Sequence, residues 1–104
     1  MSDKKIELIM IICNHGFTEE IMNTARSLDA KGGTVMSGRS TATADIKKFL
    51  GIEIHAEKDI ILILSPEENK NNIMQGISEK WGIKTEAHAI CFSLPVDEVV
   101  GLNL

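Results

Sequence analysis

The sequence of 104 residues is poor in aromatic residues and in cysteine, with no tyrosine, one tryptophan, three phenylalanines and two cysteines. Without a tyrosine, regulation by modification of that residue type is excluded. Two cysteines are too few for the disulfide framework that stabilises many small secreted domains. Because Cys13 and Cys91 lie far apart, each within an apolar run, we expect both to be buried, reduced thiols.

An excess of positive charge and a long apolar run are also missing. The formal net charge of −4 argues against general binding of nucleic acid, which requires a basic surface to displace counterions from phosphates. No run is long enough to span a bilayer, and residues 1–5 are polar, unlike the start of a signal peptide. We therefore expect one cytoplasmic domain over residues 1–104, with no linker inside it.

Recognisable catalytic motifs do not occur either. The sequence has no nucleophile elbow, zinc-protease, P-loop or dinucleotide-binding pattern, and no histidine has a nucleophile beside it. Cys13, His15, His55 and Cys91 are conceivable metal ligands, but their spacing matches no common metal motif. The sequence therefore predicts neither an enzyme nor a required cofactor or metal.

The first half of the chain has a strand–helix–strand pattern. Residues 6–13 form an almost wholly apolar run rich in β-branched side chains. Residues 17–28 then repeat apolar positions at helical spacing, with Thr18 as a cap and Gly32-Gly33 as the end. A more polar strand is expected over residues 34–41.

The second half repeats the pattern. Residues 58–64 form another run that is apolar on both faces, and Ser65 is predicted to cap a helix that has Pro66 at its first position. That helix continues to residue 81, and a last strand over residues 87–94 is expected to stop at Pro95.

The resulting order is βαββαβ, which is typical of an α+β ferredoxin-like fold with a four-stranded antiparallel sheet. Right-handed crossovers place both helices on one face of the sheet. The first and third strands, which are apolar on both sides, are expected at the centre. The second face then requires another cover, and we expect it to be buried between subunits of a homo-oligomer.

Two segments are candidates for binding. The stretch from Gly32 to Thr43 is rich in small and hydroxyl residues, whose backbone N–H groups can approach an anion, and Arg39 adds a fixed charge. Between residues 40 and 57 a short turn of helix is predicted to carry an apolar, lysine-rimmed patch for a partner protein. Its members are Ile46, Lys47, Lys48, Phe49 and Leu50. Folding of this patch back onto its own domain is an equally acceptable interpretation.

Five short segments carry a resemblance to a known family. They are Lys5-Ile6-Glu7, Gly33-Thr34-Val35, Gly38-Arg39, Lys58-Asp59-Ile60 and Leu94-Pro95-Val96-Asp97-Glu98. With these residues the sequence resembles the nitrogen regulatory proteins of the PII family over nearly its whole length.

The resemblance implies a trimer of ferredoxin-like subunits that binds adenine nucleotides in the clefts between subunits. It also implies that the loop after the second strand binds enzymes or transporters. By position, the effector-binding residues would be Thr34, Gly38, Arg39, Ser40 and Lys58.

The sequence departs from the PII pattern in three places. Before the last strand PII proteins have a phosphate-binding lysine, and in the matching segment of this sequence, residues 83–90, an isoleucine takes its place. Beyond the last strand PII proteins have arginines, and this sequence has Gly101 and Asn103 in that region. The loop is also shorter. The sequence therefore predicts a divergent relative with a weakened triphosphate site, in which Ser40, Thr41 and Thr43 are the hydroxyls available for modification.

Together these observations predict a non-enzymatic homotrimer that binds a small anionic effector, such as an adenine nucleotide. Through its 40–57 loop it would regulate a membrane transporter or a metabolic enzyme. One alternative is a metal-responsive trimer resembling the CutA-like copper-tolerance proteins. Another is a small enzyme on the same fold, such as an acylphosphatase or an isomerase.

Overall fold

The computed structural model describes residues 5–41, 48–49, 52–53 and 56–103. Along these residues the elements are β1 (Ile6–Asn14), α1 (Thr18–Ser27), β2 (Thr34–Arg39), β3 (Lys48–Phe49), β4 (Ile52–Glu53), β5 (Glu57–Pro66), α2 (Glu67–Trp81) and β6 (Ile90–Val96). The predicted βαββαβ order is confirmed, with the short strands β3 and β4 inserted between β2 and β5.

The main sheet has four strands in the order β2-β5-β1-β6, and all its neighbours are antiparallel. The two strands predicted to be central, β1 and β5, occupy the centre and pair along nine residues of β1. This is the ferredoxin-like arrangement that the sequence predicts.

The core lies between the helices and one face of this sheet. Alternate residues of β1 and β5 are buried on that face, because successive side chains of a strand point to opposite sides. Isoleucines dominate it, with Ile9 and Ile11 from β1, Ile61 and Ile63 from β5, Ile21 from α1 and Ile73 and Ile77 from α2 all fully buried.

Helix α1 ends earlier than predicted. It stops at Ser27, and the amides of Asp29 and Ala30 donate to the carbonyls of Arg26 and Ala25. Asp29 adopts a left-handed φ of 78°, so these bonds form the usual Schellman ending with aspartate where glycine is most common. Gly32-Gly33 therefore follows the end of the helix by several residues. The N-cap of α1 is Phe17, and the predicted cap Thr18 is the first residue of the helix.

Helix α2 begins one residue later than predicted, without a serine cap. Ser65 belongs to β5, is buried, and donates its hydroxyl to the carbonyl of Pro66 at 2.9 Å. Pairing with β1 continues as far as Pro66, so the ladder holds Ser65 in extended backbone. The Glu67 amide instead donates to the Lys5 carbonyl at 2.9 Å.

The prediction that Pro95 stops the last strand is wrong. β6 starts at Ile90 and continues through Pro95 to Val96, with Pro95 opposite Glu7 of β1. Among the described strands β6 lies at the edge and pairs with β1 alone, and proline is tolerated in such a strand because it has no second ladder to break.

The predicted turn of helix in the partner-docking patch is wrong for two of its residues. Lys48 and Phe49 form β3, which pairs antiparallel with Glu53 and Ile52 of β4. The other members of the patch, Ile46, Lys47 and Leu50, lie outside the described residues.

The second face of the sheet carries a continuous apolar surface. The strand register brings ten apolar side chains of this face next to one another. They are Leu8, Met10, Ile12, Met36, Ile60, Leu62, Leu64, Ile90, Phe92 and Leu94. We call these ten residues the outer face. The four from the edge strands, Met36, Ile90, Phe92 and Leu94, are between 38% and 50% exposed. No helix within the described ranges is both long and apolar enough to cross a membrane.

Candidate anion-binding cavity

An open cavity of about 440 Å³ lies at one end of the outer face, where β2 ends and β5 and β6 begin. Its volume is in the range of small-molecule sites. The lining residues are Ile12, Gly38, Arg39, Ser40, Thr41, Lys58, Ile60, His88 and Ile90. Four of the five predicted effector-binding residues, Gly38, Arg39, Ser40 and Lys58, are therefore brought together.

Strand register explains this grouping. Ile12 of β1 stands opposite both Ile60 and Ile90, so three isoleucines lie side by side as an apolar floor. Gly38 stands opposite Lys58 in the next row. A methyl group on Gly38 would come within 3.0 Å of Ile60 Cδ1, so glycine leaves room above the floor.

The ammonium of Lys58 is held by a neutral side chain. Lys58 Nζ donates to Asn14 Oδ1 at 2.8 Å, and burial lowers the pKa of Lys58 below its usual 10.5. Within the described ranges, no carboxylate lies within 4 Å of the Lys58 ammonium or the Arg39 guanidinium. Among the described residues, the lining of the cavity thus contains Lys58 and Arg39 and no acidic side chain.

Asn14 and His88 are two members of this region that the sequence analysis did not single out. Asn14 is fully buried at the end of β1. His88 has a left-handed φ of 48°, and its Nδ1 lies 3.0 Å from the Ile83 carbonyl. The sequence offers one weak signal for Asn14, a polar residue directly after an apolar strand, and nothing for His88.

Thr34 does not belong to this cavity. It starts β2, about 13 Å along the strand from Gly38 by strand rise. It lines a different cavity, of about 470 Å³, together with Lys31, Leu62 and Leu102. Within one subunit, a site that uses both Thr34 and Arg39 therefore has to extend along the whole of β2.

A second polar cluster lies beside the cavity, on the helix side of the sheet. His15 Nδ1 is 3.0 Å from Asp59 Oδ1, and the Gly16 amide donates to Asp59 Oδ2 at 3.0 Å. Burial raises the pKa of Asp59, but the hydrogen bonds from His15 and Gly16 outweigh it and hold that pKa below 3.8. The same bond raises the pKa of His15 above 6.5.

The residues considered as metal ligands do not form a site among the described residues. Cys13 is buried and donates its thiol to the Asp59 carbonyl at 3.8 Å. Burial raises the pKa of both Cys13 and Cys91 to about 11, so neither is a ready thiolate. No three His, Cys, Asp or Glu side chains of the described ranges are grouped to hold a metal ion. His55 lies outside those ranges.

Comparison with solved structures shows where this architecture occurs. A protein from Thermus thermophilus described as PII-like and signalling superposes with a TM-score of 0.68 and 16% identity, over 89% of this chain and 87% of that one. Arabidopsis thaliana PII bound to citrate gives a TM-score of 0.69 and 17% identity, over 94% and 81%. This chain has the PII-like fold.

The PII-like fold also occurs within larger proteins. A Bacillus cereus protein related to NIF3 matches 94% of this chain with a TM-score of 0.70 and 10% identity, but this chain spans only 27% of that protein. No family model matches the sequence, and no curated protein matches it. The likeness thus confirms the predicted resemblance to PII proteins at the level of the fold.

Proposed function

We propose that this protein is a PII-like signalling protein without catalytic activity, and that it binds a small anionic effector in the cavity between β2, β5 and β6. One observation carries the proposal. Lys58 and Arg39 line the same cavity, and no described carboxylate lies within 4 Å of either charge. Since charges of like sign repel, such a pair is most stable when an anion lies between them.

The chemistry of the lining favours an effector with an apolar part and few negative charges. The floor of three isoleucines suits a flat ring such as adenine. Two cations match a monophosphate, a diphosphate or a carboxylate better than a triphosphate. The citrate bound to the Arabidopsis PII shows that a protein of this fold can bind a small carboxylate anion. In this chain the apolar floor favours an anion that carries a ring, and we propose an adenine nucleotide as the first candidate.

Signalling would pass from the cavity to the 40–57 segment. The Ser40 amide donates to the Ala56 carbonyl at 2.7 Å, and the backbone of Arg39 stands opposite that of Glu57 in the β2–β5 ladder. These backbone contacts close the base of the segment. Ser40 and Thr41 also line the cavity. An effector held there would favour one arrangement of the segment over others, and the segment would then bind a transporter or a metabolic enzyme.

Self-association is part of the proposal. The outer face is a contiguous apolar surface whose edge-strand residues are exposed, and such surfaces usually mark an interaction site. We propose that it is buried in a homotrimer. Because the cavity opens at the end of this face, residues of a neighbouring subunit would complete its wall.

Isothermal titration calorimetry tests the effector site. ATP, ADP, AMP, cyclic AMP, cyclic di-AMP and citrate would be titrated into the wild-type protein and into Lys58→Met and Arg39→Gln variants. We expect at least one ligand to bind, and each variant to weaken it about tenfold or more, as for a charged hydrogen bond. Lys80→Met is the matched control, because Lys80 lies in the last turn of α2, outside the cavity.

Binding of none of these ligands would refute the proposed effector class. Equal weakening by Lys80→Met and Lys58→Met would refute the assignment of the cavity, because a general charge effect would then explain the loss.

A further inference from the structure

Three of the hydrogen bonds of Asn14 lie at the side of the cavity. Its Oδ1 accepts from Lys58 Nζ at 2.8 Å, its Nδ2 donates to the Glu86 carbonyl at 2.9 Å, and its backbone amide donates to the Ala87 carbonyl at 2.8 Å. The side chain is fully buried. It thus connects β5 with the segment that leads to His88.

The amide differs from the partner that a half-buried lysine usually has. Lysine is rarely buried without a carboxylate, because a charge is costly to remove from water. A carboxylate at this position would neutralise the ammonium and leave little attraction for a ligand. An amide oxygen satisfies one N–H of Lys58 and leaves its charge in place.

Aspartate would also fail at the other end of the side chain. The Glu86 carbonyl can only accept a hydrogen bond, and asparagine supplies the donor that an aspartate lacks. The two ends of this one amide therefore match a cation on one side and a carbonyl on the other.

We propose that Asn14 is a positioning residue of the effector cavity. It holds the Lys58 ammonium and the Glu86–His88 segment in a fixed relation, and it leaves the charge of Lys58 for the ligand. This inference rests on the proposed function, since it assigns a role within the same site.

Two measurements on the intact protein test the inference. The first is the pKa of Lys58, followed by NMR at its Cε in the wild type and in Asn14→Asp. This readout does not depend on a ligand. We expect the pKa of Lys58 to rise in Asn14→Asp, because the new carboxylate stabilises the ammonium, and ADP to bind about tenfold more weakly or worse.

The second measurement is a double-mutant cycle of ADP affinity with Asn14→Ala and Lys58→Met, with folding checked by the fluorescence of Trp81. If Asn14 acts through Lys58, Asn14→Ala weakens ADP binding when Lys58 is present. The same substitution should then change the ADP affinity little in the Lys58→Met background. A purely structural role would give additive losses. The cycle also covers the case in which Asn14→Asp does not fold.

The outcomes separate this inference from the proposed function. Additive losses, or an unchanged pKa of Lys58 in a folded Asn14→Asp variant, overturn the role of Asn14 while wild-type binding of ADP still supports the cavity. Failure of the wild type to bind any ligand of the panel overturns the proposed function and this inference with it.

Discussion

At the residue scale, two neighbouring residues of β5 carry opposite charges on opposite faces of the sheet. Lys58 is directed to the cavity and is held by the neutral amide of Asn14. Asp59 is directed to the helix side, where His15 and the Gly16 amide bind its two oxygens. Alternation along a strand separates the two charges by the thickness of the sheet, and each therefore has its own partner.

The His15–Asp59 pair predicts a pH dependence of stability. Because the pKa of His15 is raised above 6.5, its contribution is complete below pH 6.5 and is lost as the pH rises through the raised value. Because the pKa of Asp59 is lowered below 3.8, its contribution is present above pH 3.8 and is lost as the pH falls through the lowered value. The pair thus stabilises the fold most between pH 3.8 and pH 6.5.

Urea unfolding of the wild type and of His15→Gln at a series of pH values checks this expectation. The difference in unfolding free energy should shrink as the pH rises above 6.5, while the other histidines are common to both proteins. By NMR, the pKa of His15 should return towards 6.5 in Asp59→Asn. A His15 pKa that is the same in both proteins would contradict the assignment.

At the scale of elements, local signals predicted the number and kind of helices and the strands of the main sheet, but several ends were wrong. Ser65-Pro66 reads as a helix start by local rules, yet β1 pairs with both residues and extends the strand. Gly32-Gly33 reads as a helix end, yet α1 ends at Ser27 and the left-handed residue that follows it is Asp29. Sheet pairing is a long-range interaction and is invisible in a local pattern, and an aspartate in a left-handed turn carries no distinctive signal.

The ending of α1 predicts a difference in stability between two substitutions of Asp29. Asp29 has a φ of 78°, a conformation that glycine adopts without the steric penalty of a Cβ atom. We expect the unfolding free energy of Asp29→Gly to exceed that of Asp29→Ala by about 1 kcal/mol. The melting temperature of Asp29→Gly should therefore be the higher of the two. Removal of a negative charge from the helix C-terminus favours both variants equally, so their difference isolates the backbone.

Calorimetric or fluorescence melting of the two variants makes this comparison. Equal stability of Asp29→Gly and Asp29→Ala would show that residue 29 does not hold the left-handed conformation.

At the scale of the whole molecule, the fold covers one face of the sheet and leaves the outer face to solvent. Two helices are enough for the core, and right-handed crossovers put both on the same side. The outer-face residues of β6 remain between 38% and 50% exposed. An apolar surface of this kind favours association.

Self-association through the outer face predicts a matched pair of variants. Phe92→Glu places a charge on this face and should convert a trimer into monomers. Ile83→Glu makes a similar change at a residue with comparable exposure, 43% against 38%, next to the end of α2, and should leave the trimer intact. Sedimentation velocity over a range of concentrations measures both.

Two results would count against this interface. One is a wild-type protein that sediments as a monomer throughout the range, and the other is an equal effect of the two substitutions.

The sequence by itself determined the element order and the identity of the central strands, because periodicity and the two-sided apolar runs are local properties. It also identified Gly38, Arg39, Ser40 and Lys58 through the resemblance to PII proteins. Only the tertiary structure decided that Asn14 and His88 join them and that Thr34 lies in another cavity. Strand register and side-chain contacts bring together cavity residues up to 78 positions apart in the chain, from Ile12 to Ile90, and no local pattern encodes such a distance.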